Sequence, residues 1–382
     1  MKKFIFCLSA VLTVVLSGCA VCSQSGQCPD SAYTGKKIKV GYFVGDGSRS
    51  SGIFYWAQLL HYSPQLDVTL LDAQDIRDGK LKTLDLLLIP GGSSESQCRD
   101  LQEAGKKAVQ EFVYNGGSYV GICAGFHCTL NRKERLELMP FEYCHGASGS
   151  AARLAIDISK RGAEVLNIKP GRYYVRYSLG PISKPGPAWK HGKAEILGVY
   201  KSTVSRAGKP AYNFFNAPAA IYGNYGKGKV VATSFHPESY EATHNIALGC
   251  IYSVTGVTPT PVFPKNVRRP LRVAYYTPTT IGKAPIQRML ELDKSPEIDL
   301  LFAAKKELDE GLLSHVDALV IPDAYDHKNA SLAKSCRELF RKFMDRGGRI
   351  YVSGKEAAAF EKHVNLIEVP AGKSFVPAVL EK

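Results

Sequence analysis

The sequence lacks any long block of lysine and arginine, although its 382 residues carry a formal net charge of +14. The basic residues are scattered along the chain, and neither an arginine-rich helix nor a nucleic-acid-binding motif accompanies them. We therefore expect no nucleic acid among the partners. A diffuse attraction to anionic envelope lipids or to acidic ligands explains the same charge balance.

The N-terminus also lacks an apolar run that is comfortably long enough to span a bilayer. A basic start at 1–3 is followed by an apolar stretch from Phe4 to Leu16, shorter than the roughly 20 residues of a membrane helix. This stretch ends in LSGC at 16–19, which resembles a bacterial lipobox, a signal whose cysteine is lipidated. We expect a signal peptide at 1–18, a lipid on Cys19 and a polar tether at 19–37.

Two alternatives for this segment remain open, namely a plain secretory signal cleaved nearby and an uncleaved anchor. Both place the body of the protein outside the cytoplasm. Ala20, rather than an aspartate, follows the lipobox cysteine. By the same resemblance, this implies the outer membrane of a Gram-negative cell, on its periplasmic face. The membrane would then be a partner through the lipid on Cys19.

The sequence contains no zinc-binding spacing and no phosphate-binding loop. The histidines and cysteines between positions 127 and 145 fit no zinc pattern, and a disulfide or a buried pair explains them better than a metal. The segment 146–150 lacks the lysine and the length of a phosphate loop. We expect neither a metal nor a cofactor. The plausible disulfides, whose pairing the sequence does not fix, are Cys22 with Cys28 and Cys128 with Cys144.

Apolar strands alternate with amphipathic helices through residues 38–125. The segment 38–44 has the pattern of a strand and 52–62 that of a helix. Residues 84–89 form a continuous apolar run, which is typical of a strand covered on both faces. The alternation predicts an α/β domain at 38–255 with a flavodoxin-like, doubly wound parallel sheet.

A shorter copy of the same plan follows a proline-rich linker at 256–270. The strand pattern at 271–276 corresponds to the first strand, and the apolar run at 316–322 corresponds to the run that ends at Pro90. The intervals between these points agree to within one residue, which indicates an internal duplication. Architecture alone would give two flavodoxin-like halves a similar spacing. Either way, residues 271–382 are predicted to form a smaller, degenerate flavodoxin-like domain.

Two short segments carry residues that are suited to cysteine-dependent acyl transfer. They are GICAG at 121–125 and SFHPE at 234–238, and each follows an apolar strand pattern. A thiol at a helix N-terminus is favoured as the reactive thiolate. We predict that Cys123 is the nucleophile, that His236 is its base and later acid, and that Glu238 orients the imidazole. Because alternate residues of a strand point the same way, the spacing of His236 and Glu238 suits a shared site if both are extended, and Pro237 biases His236 away from a helical conformation.

Two further segments are candidates for substrate binding. Gly91 and Gly92 follow the carboxyl end of an apolar strand, where backbone N–H groups can approach the oxyanion of a tetrahedral intermediate. The segment GRYYVRY at 171–177 interleaves aromatic and basic residues, and its Arg176 could pair with a substrate carboxylate. A half-exposed strand with stacked tyrosines is an alternative interpretation of the same pattern.

These residues together resemble the class I glutamine amidotransferase-like superfamily, and within it the domain named after the N-terminal part of eukaryotic biotin–protein ligases. The resemblance covers about residues 38–255, where 121–125 matches the nucleophile elbow and 236–238 the triad partners. It implies that the triad is catalytic and that the backbone around Gly92 and Ala124 binds the oxyanion. No counterpart of the biotin ligase catalytic domain, with its glycine-rich adenylate loop, is present, so biotinylation is not implied.

The sequence therefore predicts an envelope lipoprotein that hydrolyses or transfers an amide through a thioester on Cys123. Its substrates would be small amides or peptides, and no protein partner is indicated. The alternative is a non-catalytic ligand-binding or scaffolding lipoprotein that keeps the fold and the cleft without turnover. The two differ in the reactivity that they predict for the Cys123 thiol.

Overall fold

The computed structural model describes residues 33–49, 52–146, 152–187, 189–204, 214–277, 282–323 and 329–381. These residues belong to one compact unit that begins at Tyr33. The predicted signal peptide, Cys19 and most of the tether lie outside the described residues. Within them, no helix combines the length and the apolar character that crossing a membrane requires.

The first half of the chain combines strands and helices in alternation and then continues with mainly antiparallel strands. Its strands are β1 (Ile38–Phe43), β2 (Leu66–Leu71), β3 (Leu86–Ile89), β4 (Ser118–Ile122), β5 (Phe141–Gly146), β6 (Ala152–Ile158), β7 (Gly171–Tyr177), β8 (Pro181–Pro185), β9 (Ala194–Tyr200), β10 (Pro218–Tyr225) and β11 (Gly228–Thr233). Its helices are α1 (Gly52–His61), α2 (Ala73–Arg77), α3 (Ser94–Tyr114), α4 (Ala124–Thr129), α5 (Lys160–Leu166) and α6 (His244–Thr255).

Nine of the described strands form one sheet, in the order β2-β1-β3-β4-β11-β10-β9-β6-β7, and β5 pairs with β8 separately. The first five strands of this order run parallel, whereas the pairs from β11 to β7 are antiparallel. The predicted α/β fold is confirmed, and the predicted parallel arrangement holds for the first five strands of this order but not for the pairs from β11 to β7. Only Gly226 and Lys227 separate β10 from β11, and so short a connection can join only antiparallel strands.

The second half forms a separate sheet that is parallel throughout its described pairs. Its order is β13-β12-β14-β15-β16, where the strands are β12 (Leu271–Tyr276), β13 (Ile298–Ala303), β14 (Ala318–Ile321), β15 (Arg349–Ser353) and β16 (Leu366–Val369). The accompanying helices are α7 (Lys283–Asp293), α8 (Lys305–Asp309), α9 (Asn329–Ser335), α10 (Arg337–Asp345), α11 (Gly354–Ala357) and α12 (Val376–Leu380).

The two halves repeat details as well as order. Six residues of β1 pair with β2, and six residues of β12 pair with β13. The buried Tyr42 hydroxyl donates a hydrogen bond to the Ile53 carbonyl at 2.8 Å. The Tyr275 hydroxyl donates to the Pro285 carbonyl at the same distance of 2.8 Å. Each tyrosine therefore ties the first strand of its half to the following helix.

Helix α1 packs against the second sheet. The Phe54 side chain is fully buried, with its ring centroid 5.6 Å from that of Tyr275 and 5.3 Å from that of Phe302. One turn further along, Gln58 Nε2 donates to the Asp293 carboxylate at 2.9 Å. One apolar cluster thus includes side chains of both halves and holds them together. Helix α1, which contributes to this cluster, begins beside the candidate site.

Candidate active site

Cys123 occupies a strained turn between β4 and α4. Its φ of 51° and ψ of −97° are uncommon for a residue that has a side chain. Its N–H donates to the Thr233 carbonyl at 2.8 Å, which ties the turn to the end of β11. The flanking glycines are required, because a Cβ on Gly125 would overlap the Ile89 carbonyl and one on Gly121 would lie 2.6 Å from the oxygen of Gly125.

His236 and Glu238 form a buried pair beside this turn. His236 Nδ1 lies 2.8 Å from Glu238 Oε1, and the two residues are 5% and 1% exposed. The His236 N–H donates to the Arg176 carbonyl at 2.8 Å. Glu238 is not extended, because Pro237–Ser239 form a 3-10 turn. Proline suits the first position of such a turn because it has no N–H to leave unpaired, and the turn brings the carboxylate back to Nδ1.

The electrostatics of the pair favour a protonated imidazole. Burial lowers the pKa of His236, but the Glu238 carboxylate and the Cys123 sulfur more than offset this and raise it to about 10. With Nδ1 held by Glu238, Nε2 is the nitrogen that is available to the thiol. The Cys123 Sγ also lies 3.6 Å from the Ser178 carbonyl, its acceptor in the turn after β7. The structure thus brings together the three residues that were predicted to form a triad.

Two glycines leave room for the imidazole and the carboxylate. A Cβ on Gly91 would lie 2.5 Å from His236 Cε1, and one on Gly52 would overlap Glu238 Oε1. Gly91 was among the predicted site residues, whereas Gly52 was missed. Its only signal in the sequence is its place at the start of the first helix. Glu238 Oε2 is buried and has no hydrogen-bond donor among the described residues.

The predicted oxyanion donors are backbone N–H groups of Gly92 and Ala124. Gly92 has a φ of 143°, and a Cβ there would overlap the Gly47 carbonyl, so only glycine fits. Ser93 N–H donates to that carbonyl at 2.8 Å. Within the described residues, neither the Gly92 N–H nor the Ala124 N–H has a hydrogen-bond acceptor. Ala124 is the first residue of α4, where helical N–H groups are left without an intrahelical partner.

The rim of the site involves the second half of the chain. Burial raises the pKa of the Tyr55 hydroxyl, the nearby Arg176 guanidinium opposes this, and Glu307 and Glu238 add to the increase. The Tyr55 ring lies 5.1 Å, between centroids, from Phe302 of the second sheet. No sequence motif points to Tyr55, because only the packing of α1 on the second sheet brings it to this rim.

The segment 171–177 has two different parts. It is strand β7, which lies at the edge of the first sheet. Near its start, Arg172 forms an exposed ion pair with Asp157 at 2.8 Å, and Tyr174 is 51% exposed. This part agrees with the half-exposed strand that was one of the two interpretations. Near its end, Arg176 is half-buried and contacts the site through its backbone and its charge.

The cysteines do not pair as the sequence suggested. Cys128 and Cys144 are both free thiols, so the disulfide considered between them is absent. Cys128 on α4 is fully buried and instead faces Cys98 of α3, while Cys144 is exposed. The pair Cys22 and Cys28 lies outside the described residues. Among those described, no cluster of three or more His, Cys, Asp or Glu side chains could hold a metal ion.

We expect His236 to remain protonated well above neutral pH and His127 to remain neutral well below it. Burial, followed by the charges of Arg135 and Arg132, lowers the pKa of His127 to about 4. The raised pKa of His236 stabilises the fold fully below its ordinary value of 6.5, and this contribution is lost as the pH rises through about 10.

An NMR titration of the histidine ring protons measures both values, with His127→Gln and His236→Gln variants for assignment. A His236 resonance that titrates near pH 6.5 would contradict the pairing with Glu238. The wild type should also lose more free energy of unfolding than Glu238→Gln between pH 7 and pH 10, because the Glu238 carboxylate is the largest of the contributions that raise the pKa of His236.

Comparison with protein families gives one match. Residues 43–134 match the profile of the family described as "Biotin-protein ligase, N terminal". This stretch includes the Gly91–Gly92 loop and the Cys123 turn. The resemblance to the N-terminal domain of biotin–protein ligases is therefore confirmed for this part of the chain.

A curated relative agrees with this match. A biotin–protein ligase from Schizosaccharomyces pombe is 25% identical over 171 residues, which cover 40% of this chain and 25% of that protein. The chain thus spans about a quarter of the length of this relative. The activity of the whole relative is not carried over to this chain by a match of that extent.

Several solved structures align with part of this chain, all at TM-scores below 0.5. A ThuA-like protein from Bacteroides uniformis is 12% identical, with 61% of this chain and 99% of that chain covered at a TM-score of 0.45. PurLQS from Thermotoga maritima is 15% identical, with 56% and 98% covered at 0.42. A β-galactosidase from Bacillus circulans is 12% identical, with 61% and 33% covered at 0.39. At these scores the similarities add nothing about activity.

Proposed function

We propose that the protein is a cysteine-dependent amidase or acyltransferase of the class I glutamine amidotransferase-like type, with Cys123, His236 and Glu238 as its triad. The observation that carries the proposal is the strained Cys123 turn, with φ of 51°, beside an imidazole that a buried carboxylate holds at 2.8 Å. Strain of this kind persists where the surrounding structure enforces it, and it is typical of nucleophile turns.

The arrangement supports a two-step reaction. The Cys123 thiolate attacks the amide carbonyl carbon, and the N–H groups of Gly92 and Ala124 stabilise the oxyanion. His236 then donates its proton to the leaving nitrogen, the C–N bond breaks, and an acyl thioester remains on Cys123. In hydrolysis, His236 deprotonates a water molecule, which attacks the thioester and releases the acid. In acyl transfer, an amine attacks the thioester instead of water. Glu238 keeps the imidazole in the required orientation.

One observation favours a second candidate function, a binding protein without turnover. Cys123 is only 5% exposed, like His236, and its thiol has a carbonyl acceptor in Ser178. Leu179, the next residue of this turn, has a φ of 57° and is 57% exposed. A substrate reaches the sulfur only if the turn moves. If this turn stays closed, the protein would bind ligands at the rim of the site while the Cys123 thiol stays unreactive.

Labelling with a chloroacetyl dipeptide, a thiol-directed amide analogue, separates the two functions. We expect the adduct on Cys123 to form at least about tenfold faster than on the exposed Cys144, because the His236 imidazole beside the Cys123 sulfur activates it as a nucleophile. Peptide mapping by mass spectrometry locates the adduct. Cys123→Ala should remove the fast adduct and Cys144→Ala should keep it. Equal rates at the two thiols, together with tight binding of the dipeptide, would establish the binding protein instead.

We further propose that both halves are flavodoxin-like and arose by duplication. The second sheet has the strand order second-first-third-fourth-fifth, which is the flavodoxin order. The matching hydrogen bonds of Tyr42 and Tyr275 support a common origin. In the first sheet the last residue of β3 pairs with Gly121, and in the second sheet the last residue of β14 pairs with Val352. Cys123 and Gly354 each lie two residues beyond that pair, so Gly354 occupies the position that corresponds to Cys123. The second copy thus lacks the nucleophile, and its contribution is to shape the rim at Tyr55.

We also propose that the protein is an exported lipoprotein, anchored through Cys19 to the periplasmic face of the outer membrane. The LSGC sequence at 16–19 and the scattered positive charge support this address. Small amides or peptides of the envelope would be its substrates. Cell fractionation tests the anchor, since Cys19→Ala should move the protein from the membrane to the soluble fraction.

A further inference from the structure

Two buried thiols face each other behind the candidate site. Cys98 of α3 and Cys128 of α4 are 3% and 0% exposed, and their sulfur atoms lie 3.3 Å apart. A disulfide bond is about 2.05 Å long, so the sulfurs need to approach by little more than 1 Å. Helix α3 begins just after the Gly91–Gly92 loop, and α4 begins just after Cys123. A bond between them would link the helices that follow these two parts of the site.

The surroundings of the two thiols differ in a way that suits thiol exchange. The hydrogen bond with Cys128 lowers the pKa of Cys98, burial opposes this, and the charges of Arg135 and Lys106 lower it further. The same sulfur contact, followed by burial, raises the pKa of Cys128. Low-pKa thiols beside cations are the reactive ones, so Cys98 is the attacking group.

Cys128 is also connected to the oxyanion loop. In the reduced pair the Cys98 thiol donates to Cys128 Sγ, and the Cys128 thiol in turn donates to Gln97 Oε1 at 3.7 Å. Gln97 Nε2 in turn donates to the Pro90 carbonyl at 3.1 Å. Pro90 directly precedes Gly91 and Gly92. A thiol that enters a disulfide loses its S–H donor, which frees Gln97 and removes one restraint from this loop.

We propose that Cys98 and Cys128 form a redox-active dithiol, which closes to a disulfide by exchange with a small-molecule disulfide and thereby changes the reactivity of Cys123. The Cys98 thiolate attacks one sulfur of the small disulfide and releases the first small thiolate. The Cys128 thiolate then attacks Cys98 Sγ and releases the second. Two small thiols form, which take up the two protons, and the small disulfide is the oxidant.

The break in α3 gives the oxidant a route to the buried pair. Gln102 has a φ of 56° and a ψ of 179°, which interrupts the helix shortly after Cys98. The segment before the break can therefore open without unfolding the remainder of α3. Because such opening must come first, we expect the dithiol to react more slowly than the exposed Cys144.

The test exposes the full chain to oxidised glutathione, blocks the remaining thiols with N-ethylmaleimide and maps the peptides by mass spectrometry. We expect a cross-linked peptide pair containing Cys98 and Cys128, with a mass lower by two hydrogens and reversible by dithiothreitol. Cys250 is the internal control, because it is fully buried on α6 and burial raises its pKa to about 12. It should stay reduced. Complete glutathione capture of Cys144 without the cross-link would overturn the proposal.

The effect on the site is measured on the same oxidised protein. We expect the rate of Cys123 labelling to change by at least about threefold on oxidation, return after dithiothreitol, and stay unchanged by oxidation in Cys98→Ser and Cys128→Ala. The effect of oxidation on Cys123 labelling depends on the proposed function, whereas formation of the Cys98–Cys128 cross-link does not. Either result can therefore be negative without the other. A cross-link with an unchanged labelling rate would refute the connection to the loop, even if either variant fails to fold.

Discussion

Gly91→Ala should slow the labelling of Cys123 by about a hundredfold, the loss that a displacement of roughly 1 Å at a reacting group causes. The new Cβ would lie 2.5 Å from His236 Cε1, closer than nonbonded carbon atoms approach. The imidazole cannot move away freely, since Glu238 holds Nδ1 and the Arg176 carbonyl holds the His236 backbone. The substitution therefore displaces the base while the nucleophile stays in the protein.

The matched control is Gly105→Ala on α3. The three atoms nearest to a Cβ there are side-chain atoms of Leu101 and Arg77 at 3.2–3.6 Å, so the neighbours need to give by only a few tenths of an ångström. Labelling rates are compared at one pH, and circular dichroism checks that both variants melt cooperatively. We expect wild-type labelling for Gly105→Ala. A wild-type rate in Gly91→Ala would show that His236 does not act on Cys123 from its observed position.

Phe54→Ala should lower the free energy of unfolding by about 3–5 kcal/mol, the usual cost of deleting a buried phenylalanine ring. The ring is fully buried and contacts Tyr275 at 5.6 Å and Phe302 at 5.3 Å, between centroids. Because these partners belong to the second sheet, the cavity would open between the two halves. The loss should therefore weaken the coupling of the halves as well as the total stability.

Urea unfolding, followed by circular dichroism and tryptophan fluorescence, measures both effects. The wild type should show coincident transitions by the two methods, whereas Phe54→Ala should separate them. Phe215→Ala is the control, because Phe215 is 52% exposed and its removal leaves no cavity. A loss for Phe54→Ala no larger than that for Phe215→Ala would mean that the contact between the halves contributes little to stability.

Much of the fold could be predicted because its signals are local. The strand pattern at 38–44 corresponds to β1 (Ile38–Phe43), and the pattern at 271–276 coincides with β12. The apolar run at 84–89 contains β3, whose residues are all buried, as expected for a strand covered on both faces. The predicted helix at 52–62 is α1, one residue shorter.

The sequence by itself determined the α/β alternation, its repetition, and the residue types and spacing of the candidate triad. Those features depend on periodicity and on short motifs, which the chain carries within a few residues. The tertiary structure alone decided that Pro237 starts a 3-10 turn, that Gly52 makes room for Glu238, and that Cys98 rather than Cys144 faces Cys128. The last two depend on segments far apart in the chain, whose meeting only the packing of helices on the sheet can fix.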